Sequence, residues 1–351
     1  MRQGACSRPL VFIDMIRIGI ICPSEIAFRR FLPSLQKARA FKYVGVAVAN
    51  KEEFVGATDE ILAKEKAKAR SFEENYGGVI FDSYNELICS KDVDAIYTPL
   101  PPALHYKWAK MALLHGKHVL VEKPSTTSLS DTQELVTIAS EKGLALHENY
   151  MFVYHNQMDA INEIVKSGQI GDVRLYRISF GFPRRDAHDF RYNKCLGGGA
   201  LLDAGGYTIK LATYLLGNDV RLLAASAGYI DEFKVDMYGS AMLKNGRGTV
   251  AQVAFGMDND YKCDLEIWGS KGTLTTGRIM TAPNGFAPSY TIKNNQDLKT
   301  DVLPADDAFL KSIERFEQCV IDIETRKQDY KEILLQERLV EDFKSYSNIN
   351  I

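Results

Sequence analysis

Residues 93–128 read VDAIYTPLPPALHYKWAKMALLHGKHVLVEKPSTTS. Val93–Thr98 is a short apolar run, His105–Leu114 carries apolar residues at helical spacing and is closed by Gly116, and His118–Glu122 is again a strand. A strand, a helix and a strand in close succession make a βαβ unit, and parallel strands need such a crossover. The alternation continues upstream. Ile16–Ile21 and Tyr43–Ala49 read as strands, and Ala27–Ala38 and Asp59–Tyr76 as helices, the second stopped by Gly77-Gly78. Val79–Phe81 is a short strand and Tyr84–Cys89 a short helix. The strands are nearly all apolar, as parallel strands covered on both faces should be. Residues 15–128 are therefore expected to form a doubly wound α/β domain of the Rossmann, dinucleotide-binding type.

After the helix Leu129–Lys142 and the strand Leu144–His147 the pattern changes. Asn156–Ser167 is helical and stops at Gly168. Strands follow at Val173–Phe182, Val220–Tyr229, Asp236–Leu243, Gly248–Ala254 and Lys262–Trp268, with Asn245-Gly246 as a hairpin turn. Several alternate polar and apolar residues, which suits an open, mostly antiparallel sheet with one solvated or partnered face. Helices at Leu201–Leu215, Asp306–Glu324 and Asp329–Tyr346 complete an α+β domain over residues 129–351.

The length of 351 residues accommodates these two domains, at roughly 150 residues each. Lys plus Arg is 43 and Asp plus Glu 45, a net charge of −2 with no long basic run, so a nucleic-acid partner is not expected. No apolar stretch approaches about 18 residues, so a spanning helix is not expected either. The six cysteines lie far apart and form no CxxC pair, and neither they nor the six histidines form a zinc-spaced cluster. These features suit a cytoplasmic protein with reduced thiols and no metal. Met1–Asp14 has too short an apolar stretch for a signal peptide and reads as a disordered leader, or as the result of an upstream start with Met15 the natural first residue.

Candidate binding residues cluster at strand ends, where open α/β sheets take their ligands. After the first strand, Cys22, Ser24 and Ala27 stand at the spacing of the three glycines in GxGxxG, with Ile26 on the same turn. Arg29 and Arg30 follow, as phosphate neighbours or as solvated surface. The second strand ends Ala49-Asn50-Lys51, without the acid that would bind ribose hydroxyls and repel a 2′-phosphate. This favours NADP(H) over NAD(H), although Glu52 and Glu53 come next. Thr98-Pro99-Leu100 through His105 follows the fourth strand, and Glu122-Lys123-Pro124 the fifth. A lysine between a strand end and a proline is a stiffly held cation, useful beside a hydroxyl exchanging a proton.

The stretches 93–128 and GGGALLDAGGYTIKLATYLLG (197–217) resemble the glucose–fructose oxidoreductase/inositol dehydrogenase (Gfo/Idh/MocA) family. The resemblance implies that Lys123 is the motif lysine and that Pro99, Leu100, His105 and Glu122 lie along the cofactor. It also implies that Tyr207, where many members have histidine, is the acid/base. Asp203, four residues earlier on the same helical face, would orient Lys123 or a substrate hydroxyl. A Lys123 cation close to Tyr207 is expected to lower the phenol's pKa. IAFRRFLPSL (26–35) and FGFPRRDAHDFRYNKCLGGGALLDAGGY (180–207) are similar to the nucleotide-sugar 3-ketoreductase branch. In that branch Arg184 and Arg191, with Arg185, would offer cations to a substrate diphosphate. His155 is substrate-facing or structural.

The expected function is reduction of a keto group on a nucleotide-linked hexose. Oxidation of free pyranoses or trans-dihydrodiols is the alternative within the same class, and a non-catalytic NAD(P)-binding regulator the alternative outside it. The alternating sheet face suits a homodimer or homotetramer.

Overall fold

The computed structural model describes residues 15–54 and 56–348, so the expected leader lies outside the described residues. The first layer is a parallel sheet of β1 (Ile16–Ile21), β2 (Phe41–Ala47), β3 (Val79–Phe81), β4 (Ala95–Thr98), β5 (His118–Val121) and β6 (Leu146–Glu148), ordered β3-β2-β1-β4-β5-β6. The order reverses between β1 and β4, which opens the crevice where such sheets bind ligands. Ile18, Ala95 and Tyr97 pack into a core on one face. Ile96, Val119 and Val121 pack into a second core on the other. Burial of both faces is why these strands are apolar without alternation. Relative to the expected division at residue 128, the sheet continues to Glu148, because Leu146 pairs with Val119 of β5.

The helices around this sheet begin where the sequence supplies caps. A wide π turn (Ala27–Phe31) leads into α1 (Leu32–Leu35). Thr58 caps α2 (Asp59–Tyr76), Ser83 caps α3 (Tyr84–Cys89) and Ser128 caps α5 (Leu129–Lys142), each accepting a backbone N–H. Between them α4 (Pro102–Leu114) starts three residues before the expected His105, with Pro102 in its first turn. His155 caps α6 (Asn156–Ser167) through Nδ1 and is 1% exposed, which is the structural alternative for that residue.

The second sheet has eight strands: β7 (Val173–Gly181), β8 (Arg221–Tyr229), β9 (Asp236–Lys244), β10 (Val250–Gly256), β11 (Lys262–Gly269), β12 (Thr273–Thr276), β13 (Ser289–Asn294) and β14 (Asp297–Val302). Their order is β14-β13-β12-β11-β7-β10-β9-β8, antiparallel throughout except for β7 with β10. The inner face packs Ile178, Phe180, Val253 and Leu265 against α7 (Gly206–Leu216). The outer face is lined with small residues, among them Ser179, Ser226, Ser240 and Ala254.

Two C-terminal helices, α8 (Ala308–Ile321) and α9 (Ile323–Ser347), return to the first domain. Ile313 and Phe316 join one core of the parallel sheet, and Tyr330 and Ile333 the other. Leu339, Val340 and Phe343 enter the second domain's core, so α9 spans both. The helices part at Asp322, earlier than the 325–328 gap read from the sequence. Asp322 accepts the Thr325 N–H at 2.7 Å and caps α9 there. Among the described residues no helix is long and apolar enough to cross a membrane.

Candidate active site

The loop after β1 keeps the shape of a glycine loop without its glycines. Cys22 has φ 76°, a left-handed conformation that the first fingerprint position demands and glycine usually supplies. Ser24 Oγ accepts the Ala27 N–H at 3.2 Å and caps the helical turn, and Ala27 is fully buried against the sheet. That close packing is the third glycine's task. Ile26 is 36% exposed on the same turn. A helix start with free N–H groups fits a diphosphate. Arg29 is exposed and paired with Glu25 at 3.2 Å, which puts it with the solvated surface.

At the end of β2 the acids noted in the sequence sort themselves. Asn50 Oδ1 accepts the N–H groups of Glu52 and Glu53 in a tight turn. Glu53 is occupied by three backbone donors, the N–H groups of Asn50, Tyr84 and Asn85. Its carboxylate is therefore committed to the fold. Lys51 is exposed, 2.7 Å from the exposed Asp59.

Pro99 and Leu100 are buried after β4. His105, expected along the cofactor, is 1% exposed and stands between two loops, with Nδ1 2.7 Å from the Pro124 carbonyl and Nε2 2.7 Å from that of Leu100. Burial lowers its pKa to about 4. It braces the Pro99–Leu100 loop against the Lys123–Pro124 loop. Glu122 Oε1 accepts from Tyr97 Oη at 2.7 Å and Asn149 Nδ2 at 2.6 Å, and burial raises its pKa.

Lys123 reaches across to the helix that bears Asp203. Its Nζ donates to Asp203 Oδ1 at 2.8 Å and to the Asp203 carbonyl at 3.0 Å. Asp203 Oδ2 accepts from Arg191 Nε at 2.6 Å. Burial would push the Asp203 carboxyl up, but Lys123 and Arg191 together hold it well below the ordinary carboxylate range. This helix needs its glycines. A Cβ at Gly206 would lie 2.3 Å from Tyr150 Oη, and one at Gly199 (φ 123°) 2.3 Å from Asp236 Oδ1. Asp236 in turn accepts the Leu201 N–H at 2.6 Å and anchors the helix start.

Tyr207 is boxed by the rings of Tyr150, Phe152 and Phe180, at centroid distances of 5.3, 5.8 and 5.4 Å. Lys123 Nζ lies 4.8 Å from its ring centroid. Its hydroxyl makes no hydrogen bond to any described residue. The expected lowering of this phenol by Lys123 is not what the geometry gives. Lys123 bonds to Asp203 and covers the ring face, so burial, Glu122 and Asp203 raise the pKa well above 10. The phenol stays protonated.

The arginines divide into bound and free. Arg184 is held by Asp258 and Glu232, each at 2.8 Å, and Arg191 by Asp203 and Asp189. Arg185 and Arg278 have no carboxylate within 4.0 Å among the described residues. Arg185 lies over Phe182, 5.1 Å from its centroid, and Arg278 over Tyr261 at 5.2 Å. Phe182 packs on Phe180 of the Tyr207 box, and Tyr261 bonds Thr281, which bonds Cys263 opposite Phe180.

The pattern "Oxidoreductase family, NAD-binding Rossmann fold" matches residues 16–150, and "GFO/IDH/MocA C-terminal domain" matches residues 158–275. The chain belongs to the Gfo/Idh/MocA family of oxidoreductases. It is an NAD(P)-dependent oxidoreductase by that membership. A Streptomyces violaceoruber relative, dTDP-3,4-didehydro-2,6-dideoxy-alpha-D-glucose 3-reductase, is 39% identical over 309 residues, 88% of this chain and 86% of the relative. A 3-ketoreductase from Actinomadura kijaniata, solved with NADP and TDP-benzene, superposes with TM-score 0.87 at 35% identity, covering 95% of this chain and 98% of that one. That enzyme has also been solved with a tyrosine exchanged for phenylalanine and with a lysine exchanged for alanine. The two exchanged positions lie 84 residues apart, the separation of Lys123 and Tyr207 in this Gfo/Idh/MocA chain.

Sequence reasoning did not single out Tyr97, Asn149, Tyr150, Phe152, Phe180 or Arg278. Asn149 and Tyr150 follow β6, so the strand-end rule that marked Lys123 reaches them too. Arg278 sits on an irregular turn with φ 50° and carries no sequence signal.

Proposed function

We propose that this oxidoreductase reduces the 3-keto group of a dTDP-linked deoxyhexose with NADPH. The observation that carries the reading is Tyr207: a protonated, unpartnered hydroxyl in an aromatic box beside the Lys123–Asp203 pair. Bound NADPH supplies the hydride. Tyr207 gives its proton to the carbonyl oxygen as that oxygen gains charge, and the Lys123 cation stabilises the phenolate left behind. Asp203 holds Lys123 aimed at this point. The shared 84-residue separation of lysine and tyrosine supports these roles.

The preference for NADPH is supported by Asn50 and Lys51 at the end of β2 and by the engagement of Glu53 with backbone donors. A nucleoside diphosphate is supported by Arg185 and Arg278, cations free of carboxylates and stacked on rings near the Tyr207 box. Arg184 and Arg191 serve that diphosphate less directly, being paired with acids. The small-residue outer face of the second sheet supports self-association as a dimer or tetramer.

The test is NADPH oxidation with a dTDP-linked 3-keto sugar, set against NADP⁺ reduction with free xylose, glucose and a trans-dihydrodiol. Turnover on the dTDP sugar with little on the others supports the proposal. The reverse ranking replaces it with the dehydrogenase reading. NADPH binding without turnover on any of them leaves a regulator.

A further inference from the structure

The C-terminal helices reach the active site through a chain of buried hydrogen bonds. Arg315 on α8 donates to Asp329 Oδ1 from Nε at 2.9 Å and Nη2 at 2.6 Å. Asp329 Oδ2, on α9, is 2.5 Å from His147 Nδ1 on β6. His147 Nε2 is 3.1 Å from Ser312 Oγ on α8. Ser312 donates to Asn149 Oδ1 at 2.8 Å, and Asn149 Nδ2 donates to Glu122 Oε1, the neighbour of Lys123. His147, Ser312, Asn149 and Asp329 are 1–3% exposed. Ser312, His147 and Asp329 have the order of a nucleophilic triad, but the serine is sealed and its proton points at Asn149. The site atoms of His147, Cys319 and Asp329 lie within 4.8 Å of one another. There the Arg315 guanidinium supplies the positive charge that a metal would.

The polarity of this chain constrains its protons. A Glu122 carboxylate only accepts, so Asn149 turns its NH₂ towards it and its oxygen towards Ser312. Ser312 has one proton and gives it to that oxygen, so it accepts from His147 Nε2–H. Nδ1 already donates to Asp329. Every bond is then made only if His147 is an imidazolium. A second arrangement also satisfies every group. Glu122 carries a proton and donates to the Asn149 oxygen, the amide is turned over to donate to Ser312, and Ser312 donates to a neutral His147 Nε2. Both hold the same number of protons. An amide does not conduct a proton, so exchange needs rotation of Asn149, release at one end and uptake at the other. Mixed states leave a buried group unpaired.

We infer that Asn149, Ser312 and His147 are positioning residues that tie the charge of Glu122 to that of His147, so that Glu122 is held as an anion beside Lys123 while His147 is cationic. Around His147 stand Asp329, Arg315, Cys319 and the Tyr154 ring. Around Glu122 stand Tyr97, Asn149, Lys123 and Tyr207. Glu122 contributes to keeping the Tyr207 phenol protonated, so the chain sets the proton on the donor. That consequence rests on the proposed role of Tyr207, whereas the coupling itself does not.

The direct test is ¹⁵N NMR of histidine-labelled protein, with the His147 signals assigned by their loss in His147→Gln. At pH 7 the wild type should show both His147 nitrogens protonated. Asn149→Leu, which frees the Ser312 hydroxyl to donate to Nε2, should convert His147 to the neutral Nδ1–H form. A neutral His147 in the wild type, or one unmoved by Asn149→Leu, overturns the coupling whatever the enzyme's substrate proves to be. On an active keto sugar, Ser312→Ala should displace the pH profile of kcat and lower kcat on the order of tenfold at unchanged KM for NADPH, as for loss of one charge-assisted bond. Ser312→Thr should restore both. An unmoved profile in Ser312→Ala removes the catalytic consequence.

Discussion

The Lys123 ammonium lies 2.8 Å from Asp203 Oδ1, each side chain 13% exposed, and this pair joins the end of β5 to the helix that carries Tyr207. Asp203 also pairs with Arg191, so its removal leaves the partly buried Lys123 without its acid and Arg191 with Asp189 alone. Asp203→Asn should lower the unfolding free energy by about 3 kcal/mol, read from urea unfolding at pH 7. The carboxyl is held below its ordinary 3.8, so its contribution is fully present above about pH 4 and is lost as pH falls further. The variant should therefore differ most from wild type near neutrality and converge with it in acid. A constant difference down to pH 2 would show that the pair does not carry the effect.

Substitution of the free arginines tests the nucleotide site. Arg185→Ala and Arg278→Ala should each raise KM for the dTDP-linked sugar roughly tenfold, as loss of a charge-assisted contact does. Arg184→Ala should raise it much less, because Asp258 and Glu232 already hold that guanidinium. Equal effects at all three positions would assign the diphosphate to the loop as a whole.

How much of this the sequence carried depends on which force set each feature. The strands β1 to β5 and their helices were legible because burial on both faces writes a nearly continuous apolar run. The strands β12 to β14, at one end of the second sheet, were not. Thr273–Thr276 has four residues, Ser289–Asn294 buries only Ile292, and Asp297–Val302 at the edge is largely exposed, with Leu298 69% and Val302 68% accessible. Short or exposed strands of this kind are held largely by backbone pairing, which writes little into the side chains. The site divides in the same way. Lys123, Asp203 and Tyr207 stand in recognisable motifs and the structure brings them together. Arg184 looked as good as Arg185 in the sequence. Only the distant acids Asp258 and Glu232 distinguish them.

The proposed preference for NADPH makes Lys51 its test. Lys51→Ala should raise KM for NADPH about tenfold and leave KM for NADH unchanged, since only the 2′-phosphate distinguishes the two. Parallel changes with both cofactors would place the 2′-phosphate elsewhere.

Glu337 on α9 is fully buried and neither carboxyl oxygen has a hydrogen-bond partner. Burial raises its pKa from 4.5 to about 8; Lys344 opposes the shift, and Glu148, Glu341 and Asp131 add to it. A raised carboxyl favours the folded state below pH 4.5, and that advantage is lost as pH rises towards 8. Glu337→Gln, which mimics the neutral acid, should match wild type near pH 5 and be more stable at pH 8, by on the order of 4 kcal/mol at most. Thermal unfolding at the two pH values reads this directly. A gap that does not widen with pH would contradict it.

The central claim is that Tyr207 is the proton donor, and Tyr207→Phe tests it while keeping the ring and its aromatic box. With NADPH and a dTDP-linked 3-keto sugar that the wild type reduces, kcat should fall roughly 10²- to 10⁴-fold, with the dissociation constants of NADPH and dTDP unchanged. Turnover equal to wild type at the same affinities would contradict the account.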